Sequence, residues 1–224
     1  MYKKKSLFVS FEGIEGSGKS YQSKRLYNNI KKKRLPVILT REPGGTRSAE
    51  KIRRLILNDY FDPDSKEKFD KYTDTLLYLA SRNEHIKNKI KPAIVNKKII
   101  ICDRFIDSTM AYQVYGKGVS KNLVDSVHKY ILGNIKPDLT FILKVDISKA
   151  LLRLKKRKRK NRYDKFSKDF YVRAQNAFIK IAKKNKRKYS ILDNSKDSDE
   201  IEKAILRKFN EVLEKWEMLI KMLI

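Results

Sequence analysis

Apolar residues recur along the chain in two rhythms, and each predicts a different element. Continuous short runs, Leu7-Phe8-Val9-Ser10-Phe11 and Ile99-Ile100-Ile101-Cys102, have the length and composition of strands covered on both faces. Comparable runs at 37–40, 139–145 and 189–192 bring the predicted strands to five. Between them, apolar residues return every three or four positions. That spacing predicts helices over 20–33, with Leu26 and Ile30 inward, and over 48–58, with Ile52, Leu55 and Ile56 inward. The clearest stripe, Tyr72, Leu76, Leu79, Asn83, Ile86 and Ile90, predicts one helix over 72–90. Further helices follow a Ser120 cap (Val124, Val127, Ile131), start at Ser148 (Leu151, Leu152, Leu154), carry Phe170, Ala174, Ala177, Phe178 and Ile181, and close the chain from Ile201 through Trp216 to Ile224.

Short strands alternating with helices imply an α/β three-layer sandwich around a five-stranded parallel sheet. A chain of 224 residues supports one substantial core, so 1–224 is expected to form a single domain.

Composition narrows the picture. The net charge of +28 favours anionic partners, but the lysines are spread along the chain. Runs such as Lys31-Lys32-Lys33-Arg34 and 183–188 fall near predicted helix C-termini, where cations complement the dipole. A solvated basic surface is therefore expected, without a dedicated nucleic-acid partner. The lone Cys102 excludes an internal disulfide and a cysteine-built metal site, and His128 reads as a structural or surface histidine. No apolar run approaches membrane-spanning or signal length, so a cytoplasmic location is expected.

The candidate chemistry gathers where strands end. Gly13-Ile14-Glu15-Gly16-Ser17-Gly18-Lys19-Ser20 joins the first strand to the first helix. Glycines in this pattern let successive backbone N–H groups surround an anion, Lys19 would reach the β- and γ-phosphates, and the Ser20 hydroxyl would ligate Mg²⁺. The loop Arg41-Glu42-Pro43-Gly44-Gly45-Thr46 leaves the second strand at its carboxyl end, where ligands collect in open α/β sheets. At the third, Asp103 could hold Mg²⁺ through water and Arg104 could clamp a phosphate; a strand-end ion pair fits equally well. Tyr78 and Arg82, one turn apart, could address one ligand together, or be a packed tyrosine and a solvated arginine. Clustered cations from Lys155 to Arg162 repel one another unless an anion arrives, which suits a mobile lid at about 155–166.

The ordered set of Phe11 to Lys19, Thr40 to Thr46, Leu79-Ala80-Ser81-Arg82, Asp103-Arg104-Phe105, Ala111-Tyr112-Gln113 and Pro137-Asp138-Leu139-Thr140 resembles bacterial thymidylate kinases, over nearly the whole chain. The resemblance implies the P-loop NTPase fold of nucleoside monophosphate kinases and ATP- and Mg²⁺-dependent conversion of dTMP to dTDP, by direct in-line transfer, in dTTP biosynthesis. It implies ATP at Gly13 to Ser20, Glu15 near the deoxyribose, Tyr78 stacked on thymine, and Arg82 and Gln113 at the base edge, with Thr109 beside them. Arg53 and Arg104 would hold the dTMP phosphate, Glu42 would order that site, and Ser20 with Asp103 would serve the metal. The phosphate loop carries no arginine, so the chain resembles the lid-arginine type. Arg162 would join Lys19 and Arg104 as a catalytic cation, with Arg157 or Arg159 as helpers. The family is usually homodimeric, and the helices bearing Leu55, Leu76 and Val124 are interface candidates. Lys144, Met110 and Tyr78 depart from common family residues. Another nucleotide or deoxynucleoside kinase, or a nucleotide-gated nucleic-acid-binding protein, are the competing readings.

Overall fold

The computed structural model describes residues 6–58, 68–156, 162–195 and 199–221. Five parallel strands, β1 (Phe8–Glu12), β2 (Val37–Arg41), β3 (Ile99–Asp103), β4 (Leu139–Lys144) and β5 (Tyr189–Asp193), form a sheet in the order β2-β3-β1-β4-β5. The central strand β1 is buried along its length and pairs on both edges, Val9 facing Ile101 on one side and Leu139 on the other. Alternation along β1 divides the core. Leu7, Val9 and Phe11 pack with Leu26 and Ile30 of α1 (Lys19–Lys32) and with Ile205 and Phe209 of α9 (Asp199–Lys221) on one face. Phe8 turns to the opposite face with Ile86, Ile90 and Phe105. Beside it, Ile14 and Ile142 pack on Ala174 and Phe178 of α8 (Lys168–Lys183). This is the expected three-layer architecture, and the order of strands puts the carboxyl ends of β1 and β3 side by side.

Capping follows the sequence. Ser120 Oγ accepts the Leu123 N–H at the start of α6 (Lys121–Leu132), and Asp70 accepts the Thr73 N–H at the start of α3 (Lys71–His85). Helix α1 instead opens from Gly18 at φ 86° without a side-chain cap, leaving its first N–H groups turned toward the crevice.

Two expectations about helix faces are corrected. The predicted helix over 72–90 is α3, a π turn (Ile86–Ile90) and then α4 (Lys91–Val95). Leu79, Ile86 and Ile90 are buried as expected, but Tyr72 and Leu76 are 41% and 49% exposed and Asn83 is exposed. Its inner face is polar: Asp74, Thr75, Ser81, Arg82 and His85 are all buried. In α2 (Arg47–Asn58), Ile56 is buried while Leu55 is 55% exposed. In α3 the apolar side chains turn outward because a hydrogen-bonded network around Arg82 and His85 occupies the space beneath the helix. Helix α7 (Ile147–Lys155) begins the predicted lid; Arg157, Arg159 and the rest of 157–161, like the tail 222–224 and the connection 59–67, lie outside the described residues.

Candidate active site

The loop after β1 is built by close approach. Gly13, at φ 138°, runs so near β4 that a Cβ there would lie 2.5 Å from the Leu143 carbonyl oxygen, and Gly16, at φ 73°, approaches Ala150 of α7 to a similar distance. The loop is also braced from outside: Arg153 Nη1 donates to the Gly16 carbonyl (2.9 Å) and Asn194 Nδ2 to the Ser17 carbonyl (2.8 Å). Lys19 folds across it, donating to the Ile14 carbonyl at 2.7 Å. Burial, with Arg104 adding to it, pushes the Lys19 ammonium down to about 8. An anion in the loop would reverse that shift.

Ser20 and Asp103 are brought together, the Ser20 hydroxyl donating to Asp103 Oδ2. Asp103 Oδ1 is buried and, among the described residues, accepts no hydrogen bond. A carboxylate and a hydroxyl beside a phosphate loop, with one buried oxygen unsatisfied, fit a hard cation such as Mg²⁺, which takes few protein ligands and completes its shell with water and phosphate oxygens. Among the described residues no group of three or more His, Cys, Asp or Glu offers an all-protein metal cage.

Across a crevice of about 720 Å³ lies the second half of the site. Arg104 emerges from β3 at φ 71°. It donates to the Gly13 carbonyl, to Ser108 Oγ and, at 2.7 Å, to Glu15 Oε1, while its guanidinium lies over the Tyr112 ring. The Tyr112 hydroxyl donates to the other Glu15 oxygen. Burial opposes charge at both groups, but each stabilises the ion of the other: Glu15 is held below its ordinary range by Arg104 and Lys19, and Arg104 above its own by Glu15. The turn carrying Arg104 is fastened from beneath by Glu12, which accepts the Phe105 N–H (2.7 Å) and the Ser108 hydroxyl (2.6 Å).

The Glu-Pro-Gly-Gly loop is a network node. Buried Glu42 accepts Arg82 Nε at 2.7 Å through one oxygen and pairs with His85 Nδ1 at 2.9 Å through the other; His85 Nε2 lies 2.7 Å from Thr40 Oγ1. Burial raises the Glu42 carboxyl and the Arg82 and His85 contacts more than offset it, leaving it lowered. Arg53 donates to the Pro43 carbonyl and lines the crevice, as do Tyr78, Arg82, Thr109 and Gln113.

The structure therefore gathers most of the predicted residues into one cavity. Glu42 contacts Arg82 and His85, and Thr109 Oγ1 accepts Arg82 Nη1 at 2.8 Å, so both hold the arginine. Arg162, expected to converge with Lys19 and Arg104, is fully buried against α3: it pairs with Asp74, reaches the Tyr78 hydroxyl and lies over the Tyr78 and Tyr163 rings. Lys144 pairs with Asp193 at 3.4 Å on the surface. Sequence reasoning missed Glu12, Asp74, His85, Arg153 and Asn194. Asp74 and His85 carried a signal, lying four before Tyr78 and three after Arg82 on one helical face.

The family model for thymidylate kinases matches residues 11–205. The chain belongs to the thymidylate kinase family. The chain is 44% identical over 196 residues to a thymidylate kinase of Wolbachia pipientis (subsp. Culex pipiens), covering 86% of this chain and 89% of that one. It is 39% identical to that of Halothermothrix orenii, covering 91% and 96%. Among solved structures, the thymidylate kinase of Ehrlichia chaffeensis superposes with a TM-score of 0.67 at 37% identity, covering 84% of this chain and 92% of that one.

Proposed function

We propose that this chain transfers the γ-phosphoryl group of ATP to dTMP, giving dTDP for dTTP synthesis, in the cytoplasm and as a single catalytic unit over 1–224. The observation that carries the reading is the Arg104–Glu15 pair, which joins the acceptor hollow to the phosphate loop across one crevice.

Direct transfer requires position and charge neutralisation, with no protein nucleophile. The loop from Gly13 to Ser20 would hold the ATP phosphates, and Lys19 would leave the Ile14 carbonyl for the β- and γ-oxygens. Arg104 and Arg53 would hold the dTMP phosphate facing them, and Glu15 would meet the deoxyribose. Tyr78 would stack on the base, whose edge would meet Arg82 and Gln113. When bound, Mg²⁺ at Ser20 and Asp103 would offset charge on the donor phosphates. For Arg162 to serve as the lid's catalytic cation it would have to leave Asp74 and the Tyr78 hydroxyl and turn to the phosphates as the lid closes and excludes water.

We also propose a homodimer. Exposed Leu55, Tyr72 and Leu76 lie on the packed pair α2 and α3 and supply an apolar face. On the third candidate helix, α6, Val124 itself is fully buried in its own subunit and would add nothing to such a face.

An ADP-release assay with dTMP, dUMP, thymidine, AMP and CMP tests the activity. Preferential use of dTMP with Mg²⁺ is expected. Consumption of thymidine in preference to dTMP would refute the phosphate clamp at Arg53 and Arg104.

A further inference from the structure

We propose that His128, reaching in from α6, is a positioning residue that aims Arg82 and so sets which pyrimidine edge the acceptor hollow accepts. This rests on the reading above that the hollow takes dTMP.

Arg82 is 3% exposed yet lines the crevice. A guanidinium has five N–H groups in a fixed fork. Nε donates to Glu42, one Nη1 hydrogen to Thr109 Oγ1, and one Nη2 hydrogen to the Phe105 carbonyl at 2.9 Å. The second Nη1 hydrogen is taken by His128 Nε2 at 2.6 Å. Arginine cannot accept, so Nε2 is the acceptor and the ring proton lies on Nδ1. The structure supports a neutral ring: burial, and then the Arg82 charge, push His128 down to about 3. Among the described residues one Nη2 hydrogen is left uncommitted. With the Phe105 ring 5.4 Å from the guanidinium carbon, the plane is fixed as well.

Because Arg82 lines the crevice, that uncommitted hydrogen is the donor a base edge there would meet. It suits a base that presents a carbonyl oxygen and opposes one that presents an amino group at the same position, so a thymine or uracil edge is favoured over a cytosine edge. Removing the acceptor at His128 leaves a buried N–H unsatisfied and lets the fork turn, which weakens that direction while Glu42 still holds the charge in place.

The test measures kcat and KM for dTMP and dCMP, KM for ATP, and Tm, in wild type, His128→Leu, His128→Ala and His128→Gln. Loss of one buried hydrogen bond predicts that the dTMP-to-dCMP ratio of kcat/KM falls about five- to tenfold in the Leu and Ala variants, through KM for dTMP, with KM for ATP unchanged. His128→Gln, which retains an acceptor, restores the ratio. A ratio unchanged in Leu and Ala, or equal losses on both substrates that follow Tm, would overturn the proposal. Should one variant fail to fold, the ratio in the other against Gln decides it. A wild type that prefers dCMP, or uses neither, refutes the dTMP reading itself and is visible before any variant is compared.

Discussion

Arg104 Nη2 and Glu15 Oε1 lie 2.7 Å apart, so the cation of the acceptor side is tethered to the acid of the phosphate loop. On the proposed reading, a substrate phosphate would draw Arg104 partly away from an internal carboxylate, and the tether would keep the guanidinium in place until then. Arg104→Ala should lower kcat/KM for dTMP by roughly 10²–10³-fold, and should also lower Tm because it leaves the Glu15 carboxylate buried without its main cation. Arg104→Lys should recover only part of that loss, because an ammonium cannot reach the Gly13 carbonyl, Ser108 and Glu15 at once. Steady-state kinetics beside thermal denaturation distinguish these outcomes from misfolding.

Lys19 gives a prediction in proton uptake. In the structure its ammonium is lowered to about 8 by burial and by Arg104, whereas triphosphate oxygens favour the charged form. Above pH 8, ATP binding should take up a proton and weaken as pH rises. Calorimetry in buffers of different ionisation enthalpy reads that proton directly. Lys19→Met should abolish the buffer dependence.

Glu12 and Asp107 predict a slope in stability. Burial raises Glu12 to about 8, Asp107 adding to it, and burial raises Asp107 to about 6. Both acids hold their protons more tightly in the folded chain than in the unfolded one. Their contribution is complete below the ordinary carboxylate range and is lost as pH rises through about 6 to 8. Urea midpoints should fall across that window in wild type, and Glu12→Gln should flatten the fall.

Leu55→Glu combined with Leu76→Glu should weaken self-association. Both side chains are half exposed on the subunit, so folding should survive the change, and sedimentation velocity should show a shift from dimer to monomer.

The layers of the fold were legible because their signals are local. Ile99 to Cys102 reads as a buried strand without knowledge of its neighbours, and the glycine pattern from Gly13 to Gly18 carries its own geometry. The site was legible where residues follow strand ends, as Asp103 and Arg104 do. Helix α3 misled because hydrophobic spacing assumes an apolar interior, and here the interior holds Glu42, Arg82 and His85, whose pairing spans some forty positions of sequence. A separation about twice as long hid the Asp74–Arg162 pair. No periodicity reports a contact between two polar groups that become neighbours only after the sheet forms.

The account stands most directly on where its two substrates lie. A crystal structure with dTMP and a non-hydrolysable ATP analogue should place the triphosphate on the amides of Gly13 to Ser20, thymine over the Tyr78 ring, and the monophosphate at Arg104. Thymine found elsewhere with the hollow at Tyr78 and Arg82 empty, or a triphosphate outside the loop, would contradict it.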